Sequence, residues 1–568
     1  MTSPHQRTSS HQHVRPPTPS PFPEDPTTAT RHLCAGAYLD DDFRNAALRW
    51  VYYQSRRIVA PSYGFDVVPV LAHCLRARNG AILRDIAIVV TVLIAASASM
   101  LTLFLALSML VQLQIAVATY RLARDTFRAL RNGDSVSLGT LGPRTLLLFV
   151  GWSVFSVVSF MFAFALIKNS VEDSPGVEGL GQADLTETTV VAGGMWLTSL
   201  IILFSVGFSL WRQAELARLT PNSELTVPAD TARLDEIARQ QRGNTTVYGD
   251  YEPFIGSGVI VDSWSFAQRL VRAQKSAEHG LGGIDPIVDE ATENAREFQP
   301  MPFQAHQLIE YVKRCMHMLV RTGEAEEQIP GLTVEDRIYL AGTEVSQLAP
   351  FTPGDVVAAI IRHPTTPARH YLTCQVFSWG GEIITTVHVH IAVQGRSLYL
   401  ESTTTALPPC RREYRVVDTA ENNGPMAWLR TIKDGFIDAP RSIWRAPINL
   451  AAAVINLVAG SAGGSGEQLR LERGYDYGAR IAIREIGMEQ GARVRAQIQD
   501  VVKYQKLIER RMLASVLDFL DAQGVDTTEY RDRASSILNV NGGMVTFGGE
   551  AKNYGTVHGA NVQAGPKS

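Results

Sequence analysis

Long uncharged apolar runs, nearly all between residues 86 and 211, constrain this chain more than any other feature. Leu146 to Ile167 is LLLFVGWSVFSVVSFMFAFALI and Val190 to Trp211 is VVAGGMWLTSLIILFSVGFSLW, each 22 residues without a charge. As helices they are about 33 Å long, which matches a bilayer hydrocarbon core of about 30 Å. Runs this long and dry exceed ordinary core helices, so both are expected to span a membrane. The Trp211–Arg212 pair suits an interfacial anchor. The overall hydrophobic content of 45% is that of a globular protein, so the average hides the segregation.

Ile86 to Tyr120 is a further 35 residues without a charge. One straight helix would be about 52 Å long, and two spanning helices would be slightly short. The small-residue patch Ala95 to Ser99 is the candidate bend. Flanking charge decides the count. Arg76, Arg78 and Arg84 precede the stretch, and Arg121, Arg124, Arg128, Arg131 and Arg144 follow it. Residues 169–189 hold five acids and no Lys or Arg. Positive flanks stay in the cytoplasm, so 169–189 is the expected external loop. The stretch at 86–120 then crosses an even number of times, as a membrane hairpin or two short helices. Four membrane segments with both termini cytoplasmic is the favoured topology; three crossings with an external N-terminus is the alternative. No ionisable residue interrupts the runs, which fits an anchor better than a coupled transporter. Gly193–Gly194 would allow close helix packing.

The rest is soluble in character. Residues 1–30, rich in Ser, Thr, Pro and His with no apolar signal-peptide core, are expected to be a disordered tail. His5, His11 and His13 belong to that solvated tail rather than to a metal site. Residues 31–85 form a cytoplasmic N-terminal region, and 219–243 a linker ending in a short polar helix at 234–242. Asn244 to Tyr251 and residues 258–271 suit strands, Phe303 to Val320 an amphipathic helix, and Ile338 to Leu340 part of another strand. Tyr371 to Trp379, Ile383 to Val393 and Ser397 to Thr405 are three strands joined by turns at Gly380–Gly381 and Gln394–Gly395. These predict a soluble domain over 244–420. Residues 425–538 are expected to be helical, with PINLAAAVINLVA at 447–459 too short to span and better suited to packing between domains or lying on a membrane surface. GSAGGSG at 460–466 lacks the phosphate-loop pattern and suits a linker. Residues 539–568 form a Gly/Asn-rich tail. The expected fold is a membrane α-helical N-terminal half plus a soluble α+β domain with an antiparallel sheet, then a helical C-terminal segment.

Chemistry is sparse. The net charge of -3 argues against a nucleic-acid partner. Cys34, Cys74, Cys315, Cys374 and Cys410 form no C-x-x-C pair and suit small buried hydrophobes in a reducing compartment. His388 and His390 share one face of a strand, an arrangement able to hold a transition metal. With Thr386 beside them and Val387, Val389, Ile391 and Val393 opposite, they are read as the more polar face of a half-buried strand; His363 and His370 are the other local histidines. No known catalytic motif occurs, so no catalytic, cofactor or metal residue is assigned. The expected role is an integral plasma-membrane protein anchoring a cytoplasmic sensing or interaction domain. The alternative is a membrane-associated enzyme with a dispersed site in 244–420.

Two resemblances add to this. VYGDYEPFIGSG (247–258), DSWSFAQRL (262–270), GLTVEDRIYLAG (331–342) and HYLTCQVFSWGGEIITTVHVHIAVQGRSLYLE (370–401) together resemble uncharacterised multi-spanning membrane proteins of actinobacterial type. That resemblance implies a bacterial plasma-membrane location and carries over no site residues. The tail NVNGGMVTFGGEAKNYGTVHGANVQAG (539–565) resembles the short Gly/Asn-punctuated amyloid-signalling motifs at the termini of immune-type proteins. It implies a homo-oligomer or a protein partner engaged through that tail.

Overall fold

The computed structural model describes residues 28–98, 100–132, 180–221, 231–273, 296–321, 328–345, 349–419, 424–461, 475–489, 495–539, 545–547 and 550–552, with isolated positions between 150 and 161 and at 225. The expected helix at 146–167 and the tail at 1–27 therefore lie almost wholly outside the described residues. Residues 28–30, assigned to that tail, belong instead to helix α1 (Thr28–Leu39), with Ala29 and Thr30 buried.

Helix α3 (Val67–Ala98) ends within the small-residue patch, and α4 (Met100–Asn132) begins two residues later in the sequence. They are 32 and 33 residues long, so the two short helices expected over 86–120 are each extended well beyond the uncharged stretch. The third long helix, α5 (Leu180–Ala217), begins inside the expected external loop, ten residues before the apolar run. Among the described residues three helical segments are long and apolar enough to cross a membrane: Val67–Ser97, Met100–Arg124 and Thr189–Ala217. A Cβ on Gly193 or Gly194 would come within 2.9 Å of Thr102 or 2.8 Å of Leu105, so this glycine pair sets the close approach of α5 to α4.

Six strands form one sheet in the order β1-β3-β4-β5-β6-β2. They are β1 (Thr245–Tyr248), β2 (Val259–Arg269), β3 (Leu332–Ala341), β4 (Arg369–Ser378), β5 (Ile383–Gln394) and β6 (Ser397–Leu407). The expected antiparallel sheet is corrected at one edge, where β1 runs parallel to β3. Parallel pairing needs a long crossover, and here everything from residue 249 to 331 intervenes, a separation that local pattern does not encode. One face of the sheet is apolar. Leu372, Cys374, Val376, Val387, Val389, Ile391, Leu398 and Leu400 pack there against Leu308, Val312 and Met316 of an amphipathic helix over Ala305–Arg321. Ile508, Met512, Val516 and Leu520 of a second helix, Arg495–Ala522, complete this core, as does Tyr530 of Thr528–Asn539. The sheet domain therefore does not end at 420. A short helix, Gly354–Arg362, stands between β3 and β4 and ends two residues before Pro364.

The region 31–85 is not a separate unit. Leu33, Tyr38, Phe43, Val70 and Leu71 share a core with Leu234 and Ile237, and with Cys410, Tyr414, Val417 and Ile483 from beyond the sheet. A charged clasp fixes the junction. His32 is buried, its Nε2 donating to Asp418 Oδ2 at 2.7 Å and its Nδ1 lying 3.3 Å from Glu382 Oε1. Burial opposes the imidazolium, but hydrogen bonding to Cys410 and Glu382 and the Asp418 charge outweigh it and raise its pKa from 6.5 to about 10. A raised histidine contributes stability that is complete below the unfolded pKa and is lost as pH climbs through the folded one. The full chain in detergent should therefore lose thermal stability between pH 6.5 and 10. His32→Gln should destabilise it by roughly 3 kcal/mol at pH 6 and flatten that dependence. Identical pH profiles for the two proteins would refute the clasp.

Candidate functional site

The opposite face of the sheet is polar, and it is buried. Register places Thr333, Arg337 and Tyr339 of β3, Tyr371, Thr373 and Gln375 of β4, Thr386 and His388 of β5, and Thr403 and Thr405 of β6 on one side. All but Thr333 are in the buried class. Strand β5 is thus buried on both faces, which corrects the half-buried strand expected from its alternation.

Two segments cover this face. One leads from the N-terminal core through Tyr63 and Gly64 into α3. The other is the turn 249–258, in which Asp250 and Tyr251 both hold positive φ. Phe254 of that turn stacks on the His388 ring at 4.4 Å and meets Tyr339 and Tyr371 edge-on, both at 5.5 Å. Tyr63 lies under the Arg337 guanidinium, 5.1 Å from its centre. Arg337 in turn donates to the Gly243 carbonyl at 3.0 Å.

His388 has both ring nitrogens engaged, Nδ1 with Tyr339 Oη at 3.1 Å and Nε2 with Thr405 Oγ1 at 3.3 Å. Burial, helped by the Arg337 charge, drives its pKa down to about 3, so it stays neutral. A neutral imidazole has one donor and one acceptor, and here both are used to tie β3 to β6 across the face. His390 points along the same face toward the sheet end, where its Nδ1–H donates to the His370 carbonyl at 2.7 Å. The two histidines do not converge on a common point. Among the described residues no group of three or more His, Cys, Asp or Glu side chains is placed to hold a metal ion. All five cysteines are free and buried.

A family model described as an AbeC-like domain matches residues 263–558, just over half of the chain. The chain belongs to the AbeC-like family. No curated protein and no solved structure matches it. The AbeC-like region contains most of the sheet and the helices on its apolar face. It leaves out Tyr63, Phe254 and β1, so the cover of the polar face comes from outside the region the family defines.

A second cluster sits at the edge of the AbeC-like domain. His370 donates from Nε2 to Asp336 Oδ1 at 2.9 Å, and Lys313 pairs with the other Asp336 oxygen. Burial alone would raise this carboxyl, but the hydrogen bonds from His370 and Lys313 hold it at about 2. His370 and His390 line a shallow surface depression with Ile360, Ile361, Pro364 and Arg369. His363, the remaining local histidine, caps the helix Gly354–Arg362 and takes no part.

Sequence reasoning found the histidines but not the residues that seal them. Glu485 is the clearest omission. Its carboxylate accepts the backbone N–H of Gly256 at 2.8 Å and of Gly258 at 2.9 Å, clamping the covering turn. Both glycines hold positive φ, and a Cβ at Gly258 would lie 2.3 Å from the Ala406 carbonyl oxygen. The GSG triplet was a visible signal for such a turn; its acidic partner, 229 residues away in sequence from Gly256, was not. Burial pushes the Glu485 carboxyl up to about 7, against the pull of those two N–H groups. Here the folded pKa exceeds the unfolded value of 4.5, so stability falls as pH rises from 4.5 and levels off above 7. Glu485→Gln keeps the accepting oxygen and removes the ionisation. The variant should match the parent near pH 5 and be more stable by about 1–3 kcal/mol at pH 8. Parallel melting curves across that range would refute the assignment.

Proposed function

We propose that the protein is a multi-pass plasma-membrane protein whose AbeC-like domain acts as a cytoplasmic sensing or interaction module. The observation that supports this best is the path of α3. Its first residues, Val67 to Leu75, are buried in the soluble core, and the same helix runs on into a segment apolar enough to cross a membrane. The chain that covers the polar sheet face therefore leads into that segment with only a few residues between. A displacement of α3 reaches Tyr63 and Gly64, and through them Arg337 and Ile384. That is an arrangement for transmitting a state between a bilayer and a domain, in either direction.

The bilayer is the first partner. A second copy or another protein engaged through the C-terminal tail is the second. In support, the short strands β7 (Val545–Phe547) and β8 (Glu550–Lys552) pair antiparallel, and β7 lies beside β2, an edge strand of the sheet. Edge strands accept further strands readily. The enzyme reading has one observation in its favour, the His370–Asp336 pair beside the shallow depression.

Topology provides the test. The arginine-rich flanks put 121–144 inside and 169–189 outside. A cysteine introduced at Gly179 should react with an impermeant thiol reagent in whole cells, and one at Ser135 only after lysis. The native thiols are all buried and give little background. The reverse pattern would overturn the orientation, and recovery of the full chain in the soluble fraction would overturn the membrane reading.

A further inference from the structure

The helix α9, Pro425–Ser461, changes character along its length. Its first part carries Arg430, Lys433, Asp434, Asp438, Arg441 and Arg445; from Ala446 to Gly466 there is no charge. It lies in the region expected to be helical, and it packs on α3, α4 and α5.

Its contacts give a direction. Thr431 bonds Gln213 at 3.3 Å, Gly435 faces the Val206 backbone with room for no Cβ, and Ser442 lies 3.2 Å from Ser205. As α9 advances, its partners step back along α5, so the helix enters from the end where α5 leaves its apolar run. Ile443 and Ala446 then join Ile88, Ala106, Leu110, Leu197 and Ile201 in one buried core. Asn449 then donates to Asp85 Oδ2 at 2.9 Å, one turn before Ile88 in α3, and Asp85 also accepts from Arg84 at 2.6 Å. Asp85 is 1% exposed, and Asn449, itself an exposed residue, reaches it from the rim of the bundle.

Outward, α9 is bare. Val454 and Ile455 are 60% and 67% exposed, as is Leu203 of α5 at 62%. This surface continues the apolar faces of the candidate spanning helices and carries no charge that would suit a protein rim. From Ala446 to Ser461 the helix is about 24 Å long, short of a hydrocarbon core of about 30 Å. The chain is back on the sheet by Tyr477, whose N–H donates to the Gly342 carbonyl at 3.1 Å.

We infer that Ala446–Ser461 is a re-entrant membrane helix inside the AbeC-like region, held to the bundle at its start by Ala446 and Asn449 and facing lipid with Val454 and Ile455. This rests on the membrane reading above. The experiment uses the full chain reconstituted in phosphatidylcholine vesicles, with a nitroxide on a single introduced cysteine. Val454→Cys and Leu203→Cys should both show high collision with oxygen and low collision with a water-soluble nickel chelate. Met426→Cys, in the charged part of α9, should show the reverse. Lipid exposure at Leu203→Cys with water exposure at Val454→Cys would overturn the inference and leave the membrane reading standing. Water exposure at both would overturn both. A cysteine at Ser465 that reacts with an impermeant reagent in intact cells would put the helix end outside and overturn re-entry. Protection of that cysteine until lysis supports it.

Discussion

The structure turns on a sheet whose two faces are both buried while only one is apolar. The apolar face follows the ordinary rule, with helices Ala305–Arg321 and Arg495–Ala522 packed across Val387, Val389 and Ile391. The other carries hydroxyls, an amide, a guanidinium and an imidazole, and burying such groups without partners costs free energy for each one. It is closed by segments that bring their own matching chemistry: Phe254 as a lid on His388, Tyr63 beneath Arg337, and Glu485 holding the glycine turn in place. Nothing else in the fold explains why residues from the first seventy, from 249–258 and from 475–489 converge on one side of the sheet.

That convergence also separates what was legible in the sequence from what was not. Strands β4, β5 and β6 could be placed because each alternates over ten or more residues and the turns between them contain glycine. The helix Ala305–Arg321 could be placed because its apolar residues recur at helical spacing. These are local signals. The parallel pairing of β1 with β3, the joining of 28–77 to residues near 410 and 483, and the pairing of Asn449 with Asp85 all link positions far apart in the chain. The polar face shows the difference most clearly. Thr386, His388, Thr403 and Thr405 look like a solvated face, because alternation reports contrast between two faces and not whether the polar one is wet.

The family match adds a boundary that the physical core does not respect. The AbeC-like region begins at Ser263, inside β2, and includes the whole of α9. Tyr63 and Phe254 of the polar face's cover, and the helices against which α9 packs, lie before it in the chain. Residues 263–558 thus hold half of each of two interfaces, one with the N-terminal core and one with the helical bundle.

One practical consequence follows from the way α3 emerges. It leaves the N-terminal core at about Leu75 as unbroken helix, without an extended joint that a protease could enter. A fragment trimmed to the family boundaries would lose Tyr63 and Phe254 and present Arg337, Tyr339 and His388 to water or to a neighbouring fragment. Such a fragment would be sticky for reasons unrelated to its biology. Dissection of this protein is better done by point substitution within the intact chain than by truncation.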